Sequence, residues 1–457
     1  MGTRDDSLKG VHVLVAGAGL AGLAAAREVE ARGARATVIE ARDRVGGRVW
    51  TIREGFRARQ RAEGGADFID STQAALVSLA RELRLPLVPI VRRGFGYYGV
   101  DRRGRLAIQP MGVGLQQIAS HFAPLVHDYQ LAERRWTSPI AARLAQQSVA
   151  EWLAATNAPP WMAVRLRGLR GLFLADAEEL SLLALVDFFA DLDAEGWGEM
   201  YRLRGGNDTL PEALARGLAS PVRLETVLRR VRQDAGGIVA TVEERSRLRE
   251  IAADFIIAAL PPTTARDVQY EPDLPGEQRD ALKHIRYGAA TRMLLQFERR
   301  FWAKRGRPNA FGSDQPTGAV WDGNEQQGGT AGILSLLAGG GASRDLQAVL
   351  RSDGIDGVVN RLKWLGRPGP LVASRTIVWE DDPWARGGYA FFDPAFKLEW
   401  RDWLARPHGR VMFAGEHTSI RWQGYMNGAV ESGQRAAAEI PGKDADTGTP
   451  GVFFVQG

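Results

Sequence analysis

The sequence predicts an α/β protein of two interleaved domains, and three observations carry that expectation. Residues 11–40 read VHVLVAGAGLAGLAAAREVEARGARATVIE, a βαβ pattern with glycines in its first turn. The chain has 457 residues, too many for one simple core. Buried-strand patterns also return late, at residues 254–260 and 409–415, as a sheet assembled from separated segments requires.

In the opening unit, Val11, Val13, Leu14 and Val15 form the short apolar run of a buried parallel strand. Leu23, Ala26 and Val29 then recur at helical spacing up to Gly33, and Thr37, Val38 and Ile39 form a second strand ending on Glu40. Between strand and helix stands Gly17-Ala18-Gly19-Leu20-Ala21-Gly22, a G-x-G-x-x-G. In such a turn Gly17 permits the bend, Gly19 lets backbone approach a pyrophosphate, and Gly22 lets helix and strand pack closely. The helix N-terminus offers free N–H groups to phosphate. Glu40 is placed to accept hydrogen bonds from a ribose hydroxyl, and its carboxylate disfavours a 2′-phosphate. An ordinary glycine turn is the alternative, and the complete strand, helix, strand and acid argue against it. NAD and FAD share this grip.

Composition narrows the class. Apolar residues make up 45% and charged residues 25%, as in an ordinary globular protein. The net charge of +5 comes from scattered arginines (Arg42, Arg44, Arg48, Arg92, Arg93, Arg229, Arg230), read as a solvated surface rather than a nucleic-acid patch. With no cysteine there are no disulfides, thiolate catalysis or cysteinyl cofactor links, and no metal site is expected. The opening MGTRDDSLKG lacks a secretory pattern, and no run of about 18 apolar residues marks a membrane span. A soluble, cytoplasmic protein is expected.

After Glu40 come Ala41, Arg42 and the Gly46-Gly47 turn before Arg48, a second place where backbone can touch an anion closely. A hairpin-like region runs to residue 62, Gly64-Gly65-Ala66 follow, and residues 71–83 form a helix. Residues 86–202 read as mostly helical, most clearly at 161–174 and 180–192. Their aromatics, Phe95, Tyr97, Tyr98, Trp161, Phe173, Phe188, Phe189, Trp197 and Tyr201, are mostly core residues. A helix at 210–218 and strands at 222–224, 228–233 and 238–243 lead to the strand at 254–260. Strands at 290–297, 331–337 and 372–379 alternate with helices, a second sheet. Residues 409–415 form a strand into a glycine turn, 424–440 an amphipathic helix, and 446–457 a loose tail.

Taken in order, GAGLAG with VIEARDRVGGR, AEGGADFIDSTQ, GGNDTL, FIIAALPP, WEDDPWARGGY and FAGEHTSIRWQGYMNGAVESG resemble the flavin-dependent amine oxidase superfamily. That family includes monoamine, polyamine and L-amino acid oxidases, and the resemblance covers nearly the whole chain. It implies a Rossmann-like FAD-binding domain of three segments (1–85, 203–283 and 384–445) and an α+β substrate domain from 86–202 and 284–383. The implied FAD contacts are Gly17, Gly19, Leu20, Ala21, Gly22, Glu40, Ala41, Arg42, Gly46, Gly47, Arg48, Gly64, Gly65, Ala66, Val227, Trp384, Gly415, Glu416, Gly424, Tyr425 and Met426. Val227 matches the backbone position that meets adenine, and Glu416 a contact to the ribityl and pyrophosphate region. The helix after Gly424 would aim its N-terminus at the flavin N1–C2=O edge, where negative charge develops.

Two positions depart from the family. Its covalently flavinylated members carry cysteine where this chain has Gly388, so FAD is expected to bind non-covalently. The lysine that usually holds a water beside flavin N5 is replaced by Arg292, always charged and rigidly forked. A local swap keeping the same water is the plain alternative. Tyr389 and Tyr425 match the aromatic cage before the flavin, with Trp422 beside them, a narrow slot whose π faces attract the charge on an amine.

The resemblance implies hydride transfer from a carbon bearing nitrogen to the flavin, giving an imine that water hydrolyses, with O2 reduced to H2O2. The partners are then a small amine and O2, without nucleic acid or membrane, and a homodimer is allowed. An L-amino acid oxidase, or an amine dehydrogenase using another acceptor, comes second, because 64–70 lacks the arginine that holds a carboxylate. A desaturase of a larger hydrophobic substrate and an FAD-binding protein with little turnover are further alternatives. The sequence does not reveal which amine is used.

Overall fold

The computed structural model of the chain describes residues 5–100, 106–191 and 198–442. Trp197 and the tail at 446–457 lie outside them. The described chain forms two compact units: Met1–Gly47, Pro211–Lys283 and Asp402–Gly457 compose the first, Arg48–Leu210 and His284–Arg401 the second. The first break falls directly after the Gly46-Gly47 turn and the next within the first turn of the helix Thr209–Gly217, so the first unit is narrower than the expected FAD domain.

A parallel sheet centres the first unit, in the order Arg35–Ile39, His12–Ala16, Phe255–Ala258, Val411–Phe413. Its central strands are continuous apolar runs, as burial on both faces requires. The helices Leu20–Ala31 and Met426–Ala438 cover it and pack on each other at very short range. Gly433 makes this possible: a Cβ there would stand 2.1 Å from the Ala21 carbonyl oxygen. A second sheet orders Arg247–Ala253, Gly237–Glu244, Thr226–Asp234 and Gln269–Glu271. The expected strand at 222–224 is instead one bridge between Arg223 and Ile39. Strand Arg247–Ala253 escaped notice because its side chains are charged and mostly exposed.

The second unit holds a seven-stranded sheet: Leu371–Val378, Ala290–Phe297, Gly332–Gly339, Ala319–Asp322, Ala310–Ser313, Phe95–Val100, Leu106–Pro110. Leu87–Ile90, Phe95–Val100 and Leu106–Pro110 are therefore strands, correcting the helical expectation there. Leu87–Ile90 joins a further small sheet with Met200–Leu203 and Ile69–Asp70. Helical packing dominates only from Met111 onward, around Phe122, Tyr129, Met162 and Val186. Ser138 and Ser148 cap two of these helices, the latter in a full capping box with Glu151. The expected helix at 161–174 divides into Pro160–Arg167 and Arg170–Phe173, and Leu174 closes it in the left-handed region (φ 55°). The expected helix at 71–83 starts only at Ala74, because Asp70 turns the chain by accepting from the N–H and hydroxyl of Thr72. Among the described residues no helix is long and apolar enough to cross a membrane.

Buried charge ties the second unit's loops together. Thr51 Oγ1 donates to Glu63 (2.8 Å) and the Asn207 N–H donates to the other Glu63 oxygen (3.1 Å). Asn207 Nδ2 reaches the Asp67 carbonyl (2.7 Å), and Asp67 pairs with the buried Arg202. Burial, and then Asp67 nearby, push the Glu63 carboxyl up to about 8.

Two outcomes follow from these packing and charge relations. Gly433→Ala should lower the thermal midpoint, at a cost of about 1–3 kcal/mol from overpacking. Gly217→Ala, where a Cβ meets nothing within 4 Å, should leave it unchanged or raise it. Equal effects would contradict the close helix contact. For Glu63, the folded state keeps a proton that the unfolded chain loses near 4.5. Its contribution is fully present below that pH and is lost as pH rises through about 8. Glu63→Gln, which mimics the protonated acid, should flatten the pH dependence of thermal unfolding across that window. An unchanged slope would show that Glu63 does not hold the proton.

Candidate functional site

In the first unit the glycine turn is closed on one side and open on the other. Gly17 has φ +104°, and a Cβ there would lie 2.6 Å from the Ala259 carbonyl oxygen. A Cβ on Gly22 would lie 1.8 Å from the Gly17 carbonyl oxygen. On Gly19 a Cβ would meet nothing within 4 Å, so the turn is open where a phosphate would approach. Gly19 is also the N-cap of Leu20–Ala31 and gives it no side-chain cap, which leaves the first N–H groups for an anion. Gly46 bridges to Gly19, and its N–H donates to the Ala18 carbonyl (2.8 Å), so both glycine turns face one place.

Glu40 sits at the strand end and is buried. Its Oε2 accepts from the Ala18 N–H (2.7 Å) and its Oε1 from the Arg42 N–H (2.9 Å). The carboxylate therefore shapes the turn, and each oxygen keeps a further lone pair for a ribose hydroxyl. Burial raises its pKa, and the two N–H donors work in the opposite direction. Residues 40–42 hydrogen-bond to Glu225 and Thr226, which brings Ala41 and Val227 to the same end of the sheet.

The C-terminal part of the unit offers a second helix start. The Gly424 N–H donates to buried Glu416 Oε2 (2.8 Å), and the Gly415 N–H to Ser432 Oγ (2.9 Å). Tyr425 is the N-cap of Met426–Ala438 and again makes no side-chain cap bond. Trp422 and Tyr425 meet edge to face, with centroids 5.7 Å apart. A dinucleotide fits this set: an open glycine turn, a carboxylate with spare acceptor capacity and two helix starts without side-chain caps.

In the second unit Arg292 is buried (4% exposed) on the strand Ala290–Phe297, next to the edge strand of the seven-stranded sheet. Its Nη1 donates to Ser335 Oγ (3.0 Å) and its Nη2 to the Gly65 carbonyl (2.5 Å). Nη1 also lies 3.7 Å from Asp67 Oδ2, and the guanidinium stacks over Trp321 (4.6 Å). Trp321 Nε1 donates to the same Asp67 oxygen (2.7 Å). Burial pulls the Arg292 pKa down, and Asp67 opposes that pull. Asp67, Trp321 and Ser335 were not singled out from the sequence. Asp67 stood in the motif GGADFID, where its acidity was visible but its two arginine partners were not.

Gly64, Gly65 and Ala66 line up beside this cluster. Trp379 Nε1 donates to the Gly64 carbonyl (3.2 Å), and the Ala66 N–H to the Arg48 carbonyl (3.0 Å). A Cβ on Gly65 would stand 1.9 Å from that Arg48 oxygen. The Arg48 guanidinium donates to the Gly388 carbonyl (2.7 Å) and faces the Tyr287 ring. Tyr389, half-buried, donates through its hydroxyl to the Gly171 and Leu172 carbonyls (2.9 and 2.8 Å). The Trp384 N–H donates to Asp382 Oδ1 (2.9 Å) in the turn that leads to Tyr389. Thus Gly17 to Gly22, Glu40 to Arg42, Gly46, Gly47, Val227, Gly415, Glu416, Trp422 and Gly424 to Met426 belong to the first unit. Arg48, Gly64 to Ala66, Arg292, Trp384 and Tyr389 belong to the second.

Residues 20–441 match the family described as flavin containing amine oxidoreductase. The Mycobacterium tuberculosis protein AofH, provisionally named a flavin-containing monoamine oxidase, is 28% identical over 94% of this chain and 96% of its own. An L-amino-acid oxidase of Siganus canaliculatus is also 28% identical, over 94% of this chain and 85% of its own. The cyclohexylamine oxidase structure from Brevibacterium oxydans superimposes with a TM-score of 0.80 at 26% identity, covering 94% of this chain and 98% of its own. A putrescine oxidase structure with a TM-score of 0.81 at 24% identity, over 94% of this chain and 98% of its own, shares the fold. With the glycine turn, the Glu40 grip and the match across almost its whole length, this chain belongs to the flavin-containing amine oxidoreductase family.

Proposed function

We propose that the protein is an oxidase of a small amine without a carboxylate, using non-covalently held FAD and O2. The observation that carries the choice of amine over amino acid is the engagement of Arg292. Both its terminal nitrogens already serve Ser335 and Gly65, and Asp67 answers its charge. A substrate carboxylate would have to displace these buried partners, and leaving them unpaired costs more than one new ion pair returns.

Bound FAD supplies the acceptor for the hydride, and the resulting imine is released to water as carbonyl and ammonia or amine. The protein's part is to bind, orient and exclude water. In this reading the family resemblance assigns Tyr389 and Tyr425 as walls of the amine slot, and Trp422 meets Tyr425 edge-on. A neutral amine needs no strong base, in keeping with six histidines spread along the chain. Arg292 holds positive charge in a dry interior, as the family's lysine would, but it is fixed by hydrogen bonds to backbone and side chain. Non-covalent FAD is supported by the lack of any cysteine and by Gly388, where a Cβ would meet Leu174 Cδ1 at 2.3 Å. Peroxide as the reduced product of O2 and a cytoplasmic location belong to the same reading. Adenine and ribose fall to Val227 and Glu40, the phosphates to Gly17 to Gly22 with Arg42 and Gly46-Gly47, and the isoalloxazine side to Gly64 to Ala66, Trp384, Glu416 and Met426.

Two experiments test this reading. Purified protein should be yellow, and acid should release intact FAD into the supernatant. Anaerobic addition of benzylamine, cyclohexylamine or putrescine should bleach the flavin band while L-leucine does not. Bleaching by L-leucine alone would make the protein an amino acid oxidase, and no bleaching by any of the four would leave an FAD protein without this activity. The second concerns Arg292. Arg292→Lys should keep or raise the rate at which O2 reoxidises the flavin, and Arg292→Met should slow it about tenfold or more with a smaller effect on reduction. If instead both variants raise the amine concentration needed for reduction, Arg292 contacts substrate and the reading fails.

A further inference from the structure

Tyr389 is tied to a backbone feature that the reaction itself does not require. A phenol has one hydrogen to donate, and here two carbonyls share it, those of Gly171 and Leu172. Both belong to the short helix Arg170–Phe173. In a continuing helix these carbonyls would accept from residues 175 and 176. The helix stops because Leu174 turns left-handed (φ 55°, ψ 24°), with its N–H still bonded to the Arg170 carbonyl (2.8 Å). The carbonyls of Gly171 and Leu172 are thereby left for another donor.

A leucine rarely adopts this conformation and keeps it only where its surroundings over-determine it. Three glycines do so. A Cβ on Gly288 would stand 2.2 Å from Leu174 Cβ, and one on Gly388 2.3 Å from Leu174 Cδ1. One on Gly339 would stand 2.8 Å from Leu174 Cδ2 and 2.2 Å from the Arg170 carbonyl oxygen. Leu174 is correspondingly buried (1% exposed). The socket wall is also the backbone that carries the tyrosine. The Gly388 N–H donates to the Gly288 carbonyl (2.8 Å), and the Gly288 N–H donates to the Tyr389 carbonyl (3.0 Å). Both ends of Tyr389, main chain and hydroxyl, are thus referred to Leu174.

We propose that Leu174 is a positioning residue for Tyr389: its left-handed turn, socketed by Gly288, Gly339 and Gly388, presents two carbonyls to the Tyr389 hydroxyl and so sets the plane of the ring. The proposal rests on the reading of Tyr389 as a wall of the amine slot. The hydroxyl is an anchor, and only the ring faces substrate.

The test uses FAD-loaded Leu174→Gly, Tyr389→Phe, the double variant and Tyr389→Ala. Glycine empties the socket and is free to leave the left-handed turn, so the two carbonyls are no longer held for the hydroxyl, and Leu174→Asn, which also empties the socket, replaces it if Leu174→Gly does not fold. Ultraviolet resonance Raman of the tyrosines, recorded without amine, reads the hydroxyl directly. Leu174→Gly should lose the signature of one donating phenol, the one missing in Tyr389→Phe; an unchanged spectrum overturns the proposal. Anaerobic reduction by cyclohexylamine, benzylamine and putrescine, each run separately, then reads the ring. Each single variant should raise the half-saturating concentration of the reducing amine about three- to tenfold, the equivalent of one hydrogen bond, with a smaller change in limiting rate. The double variant should be no worse than either single one, because both cut the same link. Multiplicative effects would overturn the proposal. If Tyr389→Ala leaves the amine dependence untouched while the Raman result holds, the anchor stands but Tyr389 does not wall the slot, and the functional reading is what fails.

Discussion

One carboxylate, that of Asp67, organises the interior of the second unit. It pairs with Arg202 through one oxygen, and its other oxygen accepts from the Trp321 indole and faces Arg292. Buried guanidinium groups are costly unless paired and hydrogen-bonded, and Asp67 meets that condition for two of them. The arginines in turn fix what surrounds them. Arg292 holds the Gly65 carbonyl, and Arg202 reaches Gln326 and the Asp322 carbonyl. The loop at 64–67, the strand 290–297 and the segment 319–326 are therefore referred to one anion. Glu63 lies within the same field and responds by keeping its proton, which limits the buried negative charge.

The fold was legible where chain pattern and packing coincide. The first strand, glycine turn and helix appear almost at their expected limits, because an apolar run, G-x-G-x-x-G and helical periodicity all point the same way. Strand Ala290–Phe297 was equally plain, being buried from end to end. Residues 86–110 were not, because Phe95, Tyr97 and Tyr98 are as compatible with a helix core as with a strand, and only pairing to Ala310–Ser313 decides it. Strand Arg247–Ala253 lacked any apolar alternation to find, since its position in the sheet comes from its neighbour Gly237–Glu244.

The candidate site divides in the same way. Backbone positions of the glycine turn such as Gly17, Gly19 and Gly22 announce themselves through glycine spacing. Side-chain relations across distant segments do not. Arg292 could be singled out as an unusual residue, but its partners Ser335, Gly65, Asp67 and Trp321 come from three other places in the chain. Its role as a held cation rather than a free fork is a property of their convergence. Tyr389 could be singled out as a candidate from its motif, while its hydroxyl partners at Gly171 and Leu172 lay in a stretch read as uninterrupted helix.

The parallel sheet of the first unit has a consequence for how the chain is made. Strand His12–Ala16 is flanked on one side by its near neighbour Arg35–Ile39, but on the other by Phe255–Ala258. The His12 N–H finds its carboxylate partner Asp254 at a separation of 242 residues. The outer strand Val411–Phe413 and the helix that packs on Leu20–Ala31 arrive later still. During synthesis the opening βαβ unit therefore waits with an apolar strand edge unpaired while the whole middle of the chain emerges from the ribosome. The second unit, whose sheet strands all lie before Asp402, is complete before the first is closed. The first unit, begun first, is the last to become a closed structure.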